Sequence, residues 1–125
     1  MILGIGIDLV ETARIQASLD RFGDAFLERF LLPEEIEFCK SHRHPLTHVA
    51  ARFAAKEAVA KAFGTGLGEA LGWHDIEIGR KPTGEPFLVL HKKAFELFQS
   101  RGGKGTHVSL THTDNYAAAV VVVEG

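Results

Sequence analysis

An aspartate stands near the end of an apolar run, ILGIGIDLV (residues 2–10). A glutamate and a lysine stand one helical turn apart in an alanine-rich stretch, HVAARFAAKEAVAKAF (48–63). An unpaired carboxylate in apolar surroundings costs several kcal/mol or gives up its charge, so Asp8 needs a partner. Helical spacing puts Phe53, Glu57 and Lys61 in one row with Ala50 and Ala54 beside it, so Glu57 lies on a face that is otherwise small or apolar. A strand aspartate and a helix glutamate on such faces can converge on a hard cation. Mg2+ suits them, because it takes one or two carboxylates and fills its shell with phosphate oxygens and water. Lys61 would then reach a phosphate as a point charge. The same residues allow a plainer reading, in which Glu57 and Lys61 form an i,i+4 ion pair worth ~0.2–0.5 kcal/mol and Asp8 caps a strand end.

Other features carry weaker signals. Gly64, Thr65 and Gly66 offer loop amides of the kind that cradle phosphate, or simply a helix cap and turn. His42, His44 and His48 lie close together in SHRHPLTH (41–48), but no cysteine or acidic ligand has the spacing of a zinc site. His112 shares its side with Val108 and Leu110 and reads as a core histidine. Gly4 and Gly6 fail the dinucleotide fingerprint, since the third glycine is missing and both lie within the strand; a tight packing point explains them. Arg14 and Arg21 are two turns apart on one face, with Arg29 further on. They form either a solvated face or a dock for an acidic helix.

The elements that must hold these residues follow from periodicity. Residues 2–10 alternate, with Ile5, Ile7 and Leu9 on one side and Gly4, Gly6, Asp8 and Val10 on the other. Thr12 is expected to cap a first helix ending at Gly23, followed by a short helical turn over 25–30. Pro33 starts a helix running to about Lys40, and Thr47 is expected to cap the long helix ending at Gly64. Residues 73–79 and 87–90 read as strands joined by the turn RKPTGEP, and Lys92 to Gln99 as a helix. HVSLTH and YAAAVVVVE are strands joined through Thr113, Asp114 and Asn115. The last strand is apolar on both faces, so both should be covered, and periodicity alone does not name the cover. The expected architecture is one α+β domain over residues 1–125, a small and mostly antiparallel sheet against a long helix.

Bulk properties narrow the function classes. The chain has 125 residues, 46% of them hydrophobic and 24% charged, and a net charge of −2, which argues against a nucleic-acid or membrane partner. The single cysteine, Cys39, fits a reducing compartment; with no signal-peptide pattern and no membrane-spanning run, a cytoplasmic location is expected.

GIGIDLVE, RFAAKEAVAKAFGTG and SLTHTDNYAAAVVVVE, in this order and spacing, resemble the holo-acyl-carrier-protein synthase family of small, bacterial-type 4′-phosphopantetheinyl transferases. The likeness extends through WHDIEI and RKPTGEPFL over nearly the whole chain. It implies Mg2+-dependent transfer of 4′-phosphopantetheine from coenzyme A to a serine of apo-acyl carrier protein, in fatty-acid biosynthesis, with release of adenosine 3′,5′-bisphosphate. It implies a homotrimer with active sites between subunits. Asp8 and Glu57 match the family's metal ligands, and Lys61 a phosphate contact. Arg52, Gly64 to Gly66, His112 and Thr113 match the coenzyme A site, and Gly84 and Pro86 the turn near adenine. Arg14, Arg21 and Arg29 match the basic surface that receives the carrier. The serine proton would go to Asp8 or Glu57, directly or through a water that a carboxylate holds. The acidic residue that follows the last motif's histidine in some relatives is Thr113 here, so its basic role is not carried over.

Overall fold

The computed structural model describes residues 1–125. The chain runs β1 (Ile2–Glu11), α1 (Thr12–Phe22), α2 (Asp24–Phe30), α3 (Pro33–Lys40), α4 (Pro45–Phe63), β2 (Ile76–Arg80), β3 (Pro86–Leu90), α5 (Lys92–Ser100), β4 (Gly105–His112) and β5 (Tyr116–Glu124). The α+β architecture is as expected, but the strands divide into two sheets. One has the order β1-β5-β4 and the other pairs β2 with β3, antiparallel throughout. No helix is long and apolar enough to cross a membrane.

The long helix α4 is buried on almost every side, with Val49, Ala50, Ala54, Ala55, Ala58, Val59 and Phe63 in the core. Its alanines let strand β1 come unusually close. A Cβ at Gly4 would overlap the carbonyl of Ala62, and one at Gly6 that of Ala58. The room left by these glycines is therefore filled by α4 itself, and Asp8, next on the same face, is carried to the helix. On β5 the residues Ala117, Ala119, Val121 and Val123 are buried, completing the interface. The opposite face of this sheet stays open. Ile5, Ile7 and Leu9 are 59%, 66% and 65% exposed and pair across with Val122, Val120 and Ala118.

Three expected boundaries move, each for a local reason. Thr12 is the first residue of α1, behind an N-cap at Glu11. It is buried, and its hydroxyl donates to Asp114 O (2.7 Å) while its amide donates to Asn115 O (2.9 Å), tying α1 to the β4–β5 hairpin. Helix α4 begins at Pro45 behind His44, so Thr47 lies inside its first turn; proline fits there because it lacks an amide that would go unpaired. Trp73 to Asp75 forms a 3-10 turn before β2, where Asp75 Oδ2 accepts from the Gly72 amide, so the strand starts only at Ile76.

Candidate active site

Asp8, Glu57 and Lys61 come together where β1 crosses α4. Lys61 does not pair with Glu57 along the helix. It reaches across to β1, where its Nζ donates to Asp8 Oδ1 and to the Ile7 carbonyl, both at 3.0 Å. Asp8 is well covered, its side chain 15% exposed, and this ion pair answers its need for a partner. Glu57 takes part in none of the chain's ion pairs. Burial, and secondarily the Asp8 carboxylate, raise its pKa, against a smaller lowering by Lys61. Two carboxylates close enough to act on each other electrostatically, one of them without an ion-pair partner, could supply two oxygen ligands to a hard cation. No three acidic, histidine or cysteine side chains are arranged to hold a metal ion by themselves, so a divalent ion here would draw its remaining ligands from a substrate or water.

The loop after α4 serves first as a helix terminator. Gly64 is left-handed (φ 73°), its amide donates to Lys61 O, and the Thr65 amide donates to Ala60 O. Those two amides are therefore committed to the cap; Gly66, also left-handed (φ 66°), follows them.

An aromatic cavity of about 220 Å3 opens beside this cluster, lined by Phe26, Arg29, Phe30, Phe53 and Trp73. A smaller one of about 70 Å3 continues it between α1 and α4, past Val10, Arg14, Ile15 and Ser18. Phe53 is one turn before Glu57 on α4, and Val10 is two residues after Asp8 on β1, so the groove shares the two elements that carry the carboxylates. Arg14, Arg21 and Arg29 are all exposed, and two of them flank the groove. The basic residues were legible in the sequence; the groove was not, because its walls come from three separate helices and the 3-10 turn.

A second cluster forms around Phe38. Arg52 lies over its ring at 4.2 Å and Arg80 at 5.6 Å. Arg52 is only 1% exposed, donates to His48 O (3.3 Å) and leaves its Nε without a partner. The His48 ring packs on His42 (3.9 Å) and lies 6.2 Å from His112. Burial, with added positive charge from His42, Arg52, Arg80 and His112, pushes the His48 pKa down to about 4. His112 is exposed at the open end of β4, which corrects its reading as a core histidine. Thr113 is exposed beside it and uses its hydroxyl to accept from the Asn115 and Tyr116 amides. Arg80 also donates to the carbonyl of Gly84, a residue that needs its freedom here (φ 95°), and Pro86 opens β3 just after. Arg52 and Glu57 are five residues apart on α4, which turns them ~140° from each other. Within one chain the two clusters therefore face different ways.

Sequence reasoning missed one further group. Lys56 and Glu35 form an ion pair at 2.7 Å with both side chains essentially inaccessible. Lys56 falls in a row with Arg52, Val59 and Phe63, and a lysine in an apolar row is the signal that could have found it. Glu35 stands in the first turn of α3, where an acidic residue already suits the helix dipole and so carries no special signal.

The model of the 4′-phosphopantetheinyl transferase superfamily matches residues 4–121. This chain belongs to that superfamily. Within it the chain groups with the holo-acyl-carrier-protein synthases, which makes it a phosphopantetheinyl transferase. It is 51% identical to holo-acyl-carrier-protein synthase of Koribacter versatilis, over 99% of both chains. The crystal structure of the synthase from Neisseria meningitidis matches with a TM-score of 0.93 at 36% identity, covering all of both chains. That of the Helicobacter pylori synthase in complex with coenzyme A matches with a TM-score of 0.86 at 40% identity, over 96% of this chain and 99% of the other.

Proposed function

We propose that this phosphopantetheinyl transferase moves 4′-phosphopantetheine from coenzyme A to a serine of apo-acyl carrier protein, in fatty-acid biosynthesis, and releases adenosine 3′,5′-bisphosphate. The observation that carries the mechanism is the meeting of Asp8, Glu57 and Lys61 at one point of the surface. This donor set fits Mg2+: two hard carboxylates, one of them without a cation, and room for phosphate oxygens. When bound, the ion supplies charge stabilisation at the pyrophosphate. Lys61 is the one cation paired at the cluster and is half-exposed, so it can hold Asp8 and still meet a phosphate oxygen. The carrier serine attacks the β-phosphoryl group in line with the departing bisphosphate. Glu57 is the better placed acceptor for the serine proton, since Lys61 already neutralises Asp8 and burial raises the basicity of Glu57.

The carrier is read as docking through Arg14, Arg21 and Arg29. The aromatic groove between them accepts the apolar side of an acidic amphipathic helix, and its course delivers the serine to Asp8 and Glu57. The Phe38 cluster, with Arg52, His112 and Thr113, and the Gly84–Pro86 turn then serve coenzyme A bound to a neighbouring subunit's carboxylates. The different directions of the two clusters and the open apolar face of the sheet support a homotrimer with sites at its interfaces. The near-neutral net charge of −2 suits work in the cytoplasm on a protein and a small coenzyme rather than on nucleic acid or a membrane surface.

The test is intact-mass spectrometry of an apo-acyl carrier protein incubated with the protein, coenzyme A and Mg2+, with a chelator control. One added phosphopantetheine group, lost with chelator, is the expected result. An unchanged carrier mass would overturn the reading.

A further inference from the structure

The Lys56–Glu35 pair lies outside every role assigned so far, yet it touches more of the molecule than any other side-chain group. Lys56 Nζ donates to Phe30 O (2.6 Å), Glu35 Oε1 (2.7 Å) and Trp73 O (3.2 Å), which uses all three of its protons. Glu35 Oε1 also accepts from the Leu32 amide (2.8 Å), and Oε2 from the Ile78 amide (3.0 Å). The end of α2, the start of α3, the 3-10 turn, β2 and α4 thus meet at one buried ammonium and one buried carboxylate. Both residues are almost wholly buried, Lys56 at 0% and Glu35 at 2% exposure.

Such a pair is rarely needed for stability alone, because apolar residues of similar volume can replace a buried ion pair at little cost. Helix α4 has a particular need for direction. The surface it packs with is mostly alanine, including Ala50, Ala51, Ala54, Ala55, Ala58, Ala60 and Ala62, and short side chains make shallow knobs that resist rotation weakly. Arg52 and Lys56 are the long polar side chains buried on that helix; Arg52 donates back to its own helix at His48 O, whereas Lys56 donates to three other elements. Its neighbour in sequence is Glu57, turned ~100° from it toward β1.

We propose that the Glu35–Lys56 pair is the positioning device of the transfer site, fixing the rotation of α4 so that Glu57 faces Asp8. Through the Ile78 amide it also holds β2, and with it Arg80, in place against the Phe38 cluster. Phe30 and Trp73, whose carbonyls it grips, are walls of the aromatic groove. One buried pair therefore sets the carboxylates, the groove and the strand bearing Arg80 in register. Lys56 is fully buried, and Glu35, at 2% exposure, only borders the cavity beside Phe38 and Arg52 with its oxygens committed to Lys56 and two backbone amides, so both act through others. This inference rests on the transferase reading above.

The experiment compares the parent with Glu35→Gln and with the double variant Glu35→Leu/Lys56→Met, which removes both charges at similar volume. Unfolding curves, steady-state transfer to acyl carrier protein, and the rise in melting temperature on adding Mg2+ are measured for each. The expected result is that the double variant folds, keeps its KM for the carrier within about threefold, and loses ~10–100-fold in kcat, the scale expected for a displacement of about 1 Å. Its response to Mg2+ should weaken although Asp8 and Glu57 are intact. A folded variant with the parent's kcat and the parent's Mg2+ response would overturn the proposal. So would failure of both variants to fold, which would make the pair a folding requirement only. A parent that transfers nothing would instead overturn the transferase reading.

Discussion

Glu57 is kept where a carboxylate is poorly accommodated, half-buried and beside Asp8, with the nearest ammonium committed to the other residue. A raised carboxylate pKa means that its ionised form is disfavoured in the fold at neutral pH. Glu57→Gln should therefore leave the melting temperature at pH 7 equal to or above the parent's, while transfer falls at least ~100-fold, since the variant loses both of the roles proposed for Glu57, proton acceptance and metal ligation. Calorimetry beside the mass assay separates these effects; a loss of stability parallel to the loss of activity would contradict the account. Mg2+ should raise the melting temperature of the parent and have little effect on Glu57→Gln or Asp8→Asn, because a ligand stabilises only the state that binds it. Gly6 makes a different demand. A methyl there meets the backbone of α4 at Ala58, which no side-chain rotation can relieve. Gly6→Ala should cost at least ~1–3 kcal/mol in urea unfolding, the range for overpacking, and would also push Asp8 from the helix.

Elements rather than residues set the chemistry around the start of α4. His48 lies in the first turn of that helix among His42, His112, Arg52 and Arg80, and its pKa falls to about 4 from an ordinary 6.5. The sign follows from which state takes the proton. As pH falls from about 6.5 to 4 the unfolded chain protonates this imidazole and the folded chain does not, so stability declines over that window. His48→Gln should flatten the pH dependence of the melting temperature between those limits and leave it unchanged above pH 7. An equal slope in parent and variant would place the acid sensitivity elsewhere. This cluster also marks where reading the sequence stopped. Periodicity located every helix and strand within a few residues, because each apolar stripe and each glycine stop is local. The row Phe53–Glu57–Lys61 and the strand face holding Asp8 were legible for the same reason. The direction of Lys61 was not, because its choice of Asp8 over Glu57 depends on how near β1 lies. Thr12 and Thr47 were misread as caps because a threonine's hydroxyl can serve a distant carbonyl or none of its own helix's amides. Glu35 and Lys56, far apart in the chain, carry no local mark of their pairing.

At the scale of the whole molecule, the three-stranded sheet is finished on one face and bare on the other. Ile5, Ile7 and Leu9 line up with Val122, Val120 and Ala118 to form an apolar strip across β1 and β5. A single chain gains nothing from such a strip in water; burial at ~25 cal/mol per Å2 gives it a reason to exist. Its continuity with β1 matters for function, since Asp8 projects from one side of the strand while Ile7 and Leu9 project from the other. A subunit that covers the strip therefore holds the strand that carries the carboxylate. Ile7→Glu provides the test. In an isolated chain this position is solvent-exposed and the substitution would be nearly silent, whereas in an assembly it buries an unpaired charge. Sedimentation should give the parent about three times its chain mass of 13.7 kDa and the variant about one chain mass. Transfer should fall with the assembly if the site is divided as proposed, because the Phe38 cluster and the carboxylates of a single chain face apart. A monomeric parent with full activity would contradict both the trimer and the division of the site between subunits.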